Sequence, residues 1–302
     1  MKRVFSILAF LLCVLVVNAQ TDNIVRKQSQ KRTTTQTSTA AKKQNTTTKP
    51  AKKTSATTST IGSSTYTPTV KTYEVNGVSF KMVEVRGGTF TMGATGEQGS
   101  DAHDDEKPAH SVTLSGYYIG KTEVTQELWQ AVMGSNPSEF KGNRKPVECV
   151  SWDDCTTFIS KLNSLTGKKF RLPTEAEWEF AARGGIKSKG YKYSGSNRLA
   201  DVAWYGDNSG ETTHEVGTKS PNELGLYDMC GNVLEWCNDW YGDKYYGSSP
   251  SNNPTGPGSG ADRVDRGGSW VSIASYCRSS NRSSSAPDNR NSFLGLRLCL
   301  SE

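Results

Sequence analysis

The residues best suited to chemistry lie near the C-terminus, in the segment RGGSWVSIASYC at positions 266–277. Two hydroxyls, Ser269 and Ser272, precede the phenol of Tyr276 and the thiol of Cys277. A cysteine thiolate is a nucleophile and a soft metal ligand, and two thiolates together can hold Cu(I). Ser272 offers only an oxygen five positions before Cys277, so the segment itself carries one soft ligand. These four side chains are the ones in this segment that could take part in chemistry.

Short strands and three capped helices must position this group. The start of the domain alternates apolar and polar residues like a strand pair that turns at Asn76-Gly77. Helix start signals occur at Thr125, Ser151 and Thr174, and the last two carry an acid three residues later. The predicted helices cover residues 126–133, 152–163 and a segment from 175. Loops rich in Gly, Asn and Ser follow, so the sequence predicts a loop-rich α+β domain.

The first 19 residues are typical of a secretory signal peptide. Lys2 and Arg3 precede an apolar run that ends at Val17, and small residues lead to a cleavage site after Ala19. The run is shorter than a membrane span needs. We therefore expect an exported protein without a transmembrane span, in the periplasm, the outer envelope or the extracellular space.

Residues 20–72 form a linker of different composition, rich in Thr, Ser, Lys and Gln, with ten basic residues and one acid. Because the linker has few apolar side chains to bury, burial cannot offset the conformational entropy that folding would cost. We therefore expect this linker to be disordered. The domain at 73–302 then carries 24 basic and 29 acidic residues. The basic linker serves as a tether or contacts an anionic envelope surface. Export argues against a nucleic-acid partner.

An acidic loop at positions 101–106 surrounds His103, and His110 follows it. Carboxylates and imidazoles can hold a divalent cation. A solvated surface loop explains the same pattern, and we prefer that interpretation.

An ordered series of motifs covers nearly all of residues 73–302. In sequence order these are 87–93 (GGTFTMG), 122–125 (TEVT), 171–179 (RLPTEAEWE), 182–185 (ARGG), 221–228 (PNELGLYD), 231–236 (GNVLEW), 266–270 (RGGSW) and 294–297 (LGLR). Together they resemble the formylglycine-generating enzyme, or sulfatase-modifying factor, superfamily. The resemblance implies a variant of the C-type-lectin fold with limited secondary structure and long loops.

The resemblance also implies a calcium site. Relatives bind calcium around the segment that is DMCGNVLEW here, which corresponds to Asp228, Gly231, Val233 and Glu235. Ca²⁺ prefers oxygen ligands, and a tight Gly-Asn turn can direct main-chain carbonyls toward an ion. The alternative is a loop held by its own hydrogen bonds.

The resemblance further implies an oxidase that converts a sulfatase cysteine to formylglycine with copper and O₂. Ser269, Tyr276 and Cys277 match active-site positions, whereas Ser272 replaces the first active-site cysteine. Copper is therefore doubtful, and the oxidase remains an alternative. We expect Cys277 to pair with Cys237 in a structural disulfide.

The same segment resembles the variable region of retroelement-diversified lectin-like binding proteins, in which a C-terminal loop displays a binding face. Arg282 and Arg297 would be its anchors. The displayed residues would be Ser272, Ile273, Ser275, Tyr276, Ser279 and Asn281. Our first interpretation is an exported sulfatase-modifying-factor-like protein that binds a protein or glycan ligand, or a sulfatase-type polypeptide, or serves as an envelope accessory protein.

Overall fold

The computed structural model describes residues 66–301. The predicted signal peptide at 1–19 and most of the linker at 20–72 lie outside the described residues. The first strand begins at Val70, so the folded part starts before the predicted boundary at residue 73. Within residues 66–301, no helix has the length and apolar character that a membrane crossing requires.

Eleven short strands build three sheets in the described part of the chain. They are β1 (Val70–Val75), β2 (Val78–Val85), β3 (Gly88–Met92), β4 (His110–Leu114), β5 (Tyr117–Gly120), β6 (Phe170–Arg171), β7 (Leu234–Trp240), β8 (Arg263–Arg266), β9 (Ser283–Ser285), β10 (Leu294–Leu296) and β11 (Cys299–Ser301). An antiparallel sheet has the order β1-β2-β5-β11-β6, a second has β10-β7-β8-β9, and β3 pairs with β4. The predicted turn at Asn76-Gly77 joins β1 to β2, and both residues have positive φ.

Four α-helices accompany the sheets in residues 66–301. They are α1 (Gln126–Met133), α2 (Trp152–Thr166), α3 (Glu175–Ala182) and α4 (Leu199–Val202). The predicted N-caps are confirmed, because the Thr125, Ser151 and Thr174 side chains each accept a hydrogen bond from a first-turn amide. Helix α2 continues three residues beyond the predicted end, because Gly167 adopts the left-handed conformation that terminates it.

The five-stranded sheet separates two hydrophobic clusters. Along β5, Tyr118 packs into one cluster, and its neighbours Tyr117 and Ile119 pack into the other, as alternation along a strand requires. Helix α2 adds Phe158 to the first cluster, and α3 adds Trp178 to the second. The mixture of short strands and few helices is the α+β architecture predicted from the sequence.

A third, smaller cluster lies beneath the C-terminal segment. It consists of Tyr193, Leu199, Val202, Ala203, Cys230 and Cys277, all buried. This cluster supports the segment that carries the candidate catalytic residues.

Candidate functional site

Four buried arginines fix the C-terminal segment to the rest of the domain. Arg266, Arg278, Arg282 and Arg297 have fully buried side chains, and each pairs with a buried carboxylate. The two predicted anchors are among them: Arg282 donates to both oxygens of Glu175 at 2.7 and 2.9 Å, and Arg297 donates to Glu235. Buried charges persist only when they are paired, so these contacts determine the path of the backbone between them.

The loop between Trp270 and Tyr276 is a part of this segment that reaches the surface. The indole of Trp270 is 6% exposed and donates to the Ser292 carbonyl at 2.9 Å. Beyond it, Val271 and Ile273 are 47% and 59% exposed, although both are apolar. Neighbouring exposed apolar side chains on an anchored loop are typical of a surface that contacts a partner.

The hydroxyls of Ser269 and Ser272 take part in hydrogen bonds within this loop. Their Oγ atoms lie 3.2 Å apart, and Ser272 Oγ accepts from the Ser269 amide at 3.0 Å. Among residues 66–301, no histidine or carboxylate hydrogen-bonds to either hydroxyl. A serine nucleophile requires an adjacent base, so neither serine is activated in this arrangement.

The thiol of Cys277 is fully buried in the third cluster. Burial raises the pKa of this thiol well above its ordinary value, and the neighbouring thiol of Cys230 raises it further. A Cβ atom on residue 268 would lie 2.7 Å from Cys277 Sγ. The sulfur therefore fits at this place because residue 268 is a glycine. A buried, protonated thiol is neither a nucleophile nor a ready metal ligand.

Three sequence expectations for this segment are wrong. All six cysteines of the described chain are free, and Cys237 lies in a different cluster from Cys277, so the expected disulfide is not formed. Ser279 and Asn281 are 0% and 2% exposed, so neither is displayed. Both sit beside buried Arg278, where the path of the chain is dictated by ion pairs that the sequence pattern does not reveal. Ser272, Ile273, Ser275 and Tyr276 do reach the surface.

A loop at positions 204–209 borders the displayed segment, and the sequence analysis missed it. The Gly206 amide donates to the Ser272 carbonyl at 2.9 Å, and Ser209 Oγ donates to the Trp270 carbonyl at 2.7 Å. The half-buried rings of Trp204 and His214 stack nearby at 3.7 Å. A Trp-Tyr-Gly sequence among polar residues was the available signal, because surface aromatics often mark binding sites.

Three buried carboxylates surround the predicted calcium segment. Glu123, Asp228 and Glu235 are at most 3% exposed, and the guanidinium of Arg297 pairs with Glu235 and acts on the other two. Burial raises the pKa of Asp228 to about 6, with the charge of Glu235 adding to the effect. Burial also raises the pKa of Glu123 well above its usual range, with Asp228 and Glu235 contributing. The group thus has three buried carboxyl groups against one buried guanidinium.

The predicted calcium ligands are not equally free. Asp228 Oδ1 is buried without a hydrogen-bond partner, whereas both oxygens of Glu235 accept from Arg297, and Oε2 also accepts from Trp178. The amide of Val233 donates to Glu123 at 3.1 Å, and Gly231 takes a positive φ in the same turn. The unpartnered oxygen and the clustered carboxyl groups fit a divalent cation.

The acidic loop is not the solvated loop that we preferred. Glu106 is fully buried and pairs with Arg278, and Asp105 accepts from the Tyr241 hydroxyl at 2.7 Å. Together with His103, these side chains form the one group in residues 66–301 with three ligand atoms within 4.8 Å of one another. Because Arg278 already neutralises Glu106, the loop works as an anchor for the C-terminal segment.

Comparison with known proteins identifies the family to which the series of motifs points. Residues 67–301 match the family model described as "Sulfatase-modifying factor enzyme 1-like domain". The chain belongs to the sulfatase-modifying factor family. The formylglycine-generating enzyme of Streptomyces coelicolor is 34% identical, over 71% of this chain and 87% of its own length. That of Mus musculus is 32% identical, over 72% and 74%.

Solved structures place the family domain among the formylglycine-generating-enzyme-type variants of the C-type-lectin fold, as expected from the motifs. Treponema denticola variable protein 1 is 40% identical, with 78% of this chain and all of that one covered at a TM-score of 0.71. PvdO from Pseudomonas aeruginosa is 30% identical, over 74% and 94%, with a TM-score of 0.64.

Proposed function

We propose that this sulfatase-modifying-factor domain is an exported ligand-binding protein that does not oxidise sulfatase cysteines. The observation that carries the proposal is the state of positions 272 and 277. Ser272 is hydrogen-bonded to Ser269, and the thiol of Cys277 is buried with a raised pKa. Position 272 supplies no thiol, and burial raises the pKa of both Cys277 and its neighbour Cys230, so the two thiols present are enclosed and protonated and do not fit a copper centre.

The surface loop supports the binding role. A rigid frame of buried arginine pairs presents Val271, Ser272, Ile273 and Tyr276 to solvent, beside the rings of the 204–209 loop. Loops fixed on a scaffold are a common solution for recognition. The similarity to the solved structure of a variable protein favours the same role. In the retroelement-diversified alternative, the residues that vary are the ones that the C-terminal loop displays to a ligand. A polypeptide ligand suits the exposed apolar pair better than a glycan does.

Calcium is part of the proposal. Asp228 Oδ1, with the main-chain oxygens of Gly231 and Val233, would hold the ion, while Glu235 would stay paired with Arg297 beside it. Its contribution would be structural, since the Gly231 turn lies against the cluster that contains Cys277. A chelator-sensitive melting temperature is the expected signature.

Export and tethering complete the proposal. The apolar N-terminal segment would direct the chain across a membrane, to the periplasm, the outer envelope or the outside. The basic linker would then hold the binding domain near an anionic surface. A protease-protection assay on intact and permeabilised cells tests this part.

A peptide-oxidation assay tests the proposal directly. The full chain, loaded with copper under O₂, is incubated with a Cys-x-Pro-x-Arg peptide, and conversion to formylglycine is read by mass spectrometry. We expect no conversion by the natural sequence. Conversion would show that another residue replaces the missing thiol, and the oxidase alternative would then hold.

Ser272→Cys is the matched variant, because it restores the thiol pair with one atom changed. Activity in Ser272→Cys alone would indicate a catalytic frame that lost its function through this position. Inactivity of both proteins would mean that the peptide site has diverged as well, which also supports the binding role.

A further inference from the structure

A cavity of about 310 Å³ opens beside strands β2 and β5 and the start of helix α1. Leu298 lines the cavity, but no residue of the 266–277 segment does, so the cavity is separate from the displayed loop. Its volume lies at the lower end of the range for ligand pockets, so it suits one small molecule.

The lining carries an excess of positive charge. Lys81, Lys121 and Arg144 line the cavity, and no described carboxylate forms an ion pair with either lysine. Arg144 contacts Glu215 at 3.5 Å, but both side chains are more than half exposed, so that pair is weak. Glu127 is the one solvent-accessible acid of the lining.

The acid at the floor of the cavity contributes little negative charge to the opening. Glu123 lies there, 2% exposed, with its oxygens bonded to the Asn232 side chain at 2.8 Å and to the Val233 amide at 3.1 Å. Both contacts direct this carboxylate away from the solvent, toward the turn that precedes β7. The Glu123 carboxylate is therefore taken up by these contacts, and Glu127 is the accessible acid that remains beside the three cations.

The other lining groups combine ring faces with hydroxyls. Lys121 Nζ lies 5.3 Å from the ring centre of Tyr227, which lines the cavity together with Phe80. Hydroxyls of Thr122 and Thr125 are present as well. Rings pack against the C–H face of a sugar, hydroxyls meet its edge, and ammonium groups meet a carboxylate.

We propose that this cavity binds a small organic carboxylate of monosaccharide size, with a uronate as the simplest member of the class. Lys121 would bind the carboxylate, and the Tyr227 ring would contact the apolar face of the ligand. The site is independent of the C-terminal face, so its test and that of the proposed function do not depend on each other.

Titration of the ¹⁵N-labelled full chain with glucuronate tests the proposal, with glucose as the neutral analogue at matched ionic strength. We expect glucuronate to shift the amide signals of Thr122 and Tyr227 and to bind at least about tenfold more tightly than glucose, since a charge-assisted hydrogen bond contributes that much. Equal binding of the two sugars, or shifts elsewhere only, would overturn the proposal.

Two lysine variants separate the site from general charge attraction. Lys121→Gln should weaken glucuronate binding about tenfold. Lys168→Gln removes an exposed lysine outside the cavity and should leave binding unchanged. Equal effects of the two substitutions would mean that net charge alone attracts the anion, and the site would be rejected.

Discussion

Replacing Glu106 by Gln tests whether buried ion pairs hold the C-terminal segment in place. Glu106 Oε2 accepts from Arg278 at 2.8 Å and from Ser280 at 2.6 Å, and neither ion-pair side chain is exposed. Glutamine keeps the size but leaves the guanidinium without its counter-charge, which costs about 3–5 kcal/mol in a buried pair. For a domain of this size, the melting temperature should fall by on the order of 10 °C.

The pH dependence of Glu106→Gln provides a second readout. Burial opposes ionisation, but hydrogen bonds from Arg278 and Ser280 outweigh it and hold the pKa of Glu106 below its ordinary value. A carboxyl with a lowered pKa in the folded state adds stability above its unfolded pKa, and that stability is lost as pH falls through the folded pKa. The variant should therefore differ most from the natural protein near pH 7 and least in acid.

Urea unfolding and thermal melting measure both effects, with Asp104→Asn as the matched control. Asp104 pairs with Lys107 at the surface, where solvent screens the contact, so the control should melt like the natural protein. A loss below about 1 kcal/mol in Glu106→Gln, or an equal loss in the control, would refute the anchoring role.

Three further variants test other parts of the site. Gly268→Ala should destabilise the fold by about 1–3 kcal/mol in urea unfolding, because φ is +71° and the added Cβ meets Cys277 Sγ. Because burial raises the pKa of Asp228 to about 6, ionisation of this carboxyl should cost the natural protein stability as pH rises from 4 to 7. Asp228→Asn should remove this pH dependence, and it should also remove the calcium-dependent rise in melting temperature. Val271→Ser with Ile273→Ser should leave the melting temperature unchanged but reduce retention of ligand polypeptides in pull-downs.

Helix starts and the first hairpin were predictable because their determinants are local. A cap at Ser151 needs only Asp154, three residues away, and the turn at Asn76-Gly77 needs only residues that accept positive φ. The same locality explains the small errors. The predicted end of α2 was three residues short, because the polar residues before Gly167 also suit a helix end.

The sequence indicated which residues make up the candidate site, but it did not indicate which of their side chains reach solvent. Ser269 and Ser272 lie in one loop and Cys277 lies in the cluster that supports it, while their role as a site stays a prediction. Spacing alone did not reveal that Cys277 points into a cluster with Cys230, or that Asn281 turns inward beside Arg278. Periodicity fails in this segment because irregular loops lack a repeating face.

The sequence by itself determined the family, the α+β class, the helix caps and the absence of a second thiol at position 272. Only the tertiary structure decided which side chains reach solvent and which carboxylate neutralises each arginine. Glu106 and Arg278 are 172 residues apart in the chain, and Glu175 and Arg282 are 107 apart. No local pattern specifies such pairs, because a buried charge selects its partner from whatever the folded chain brings within hydrogen-bond distance.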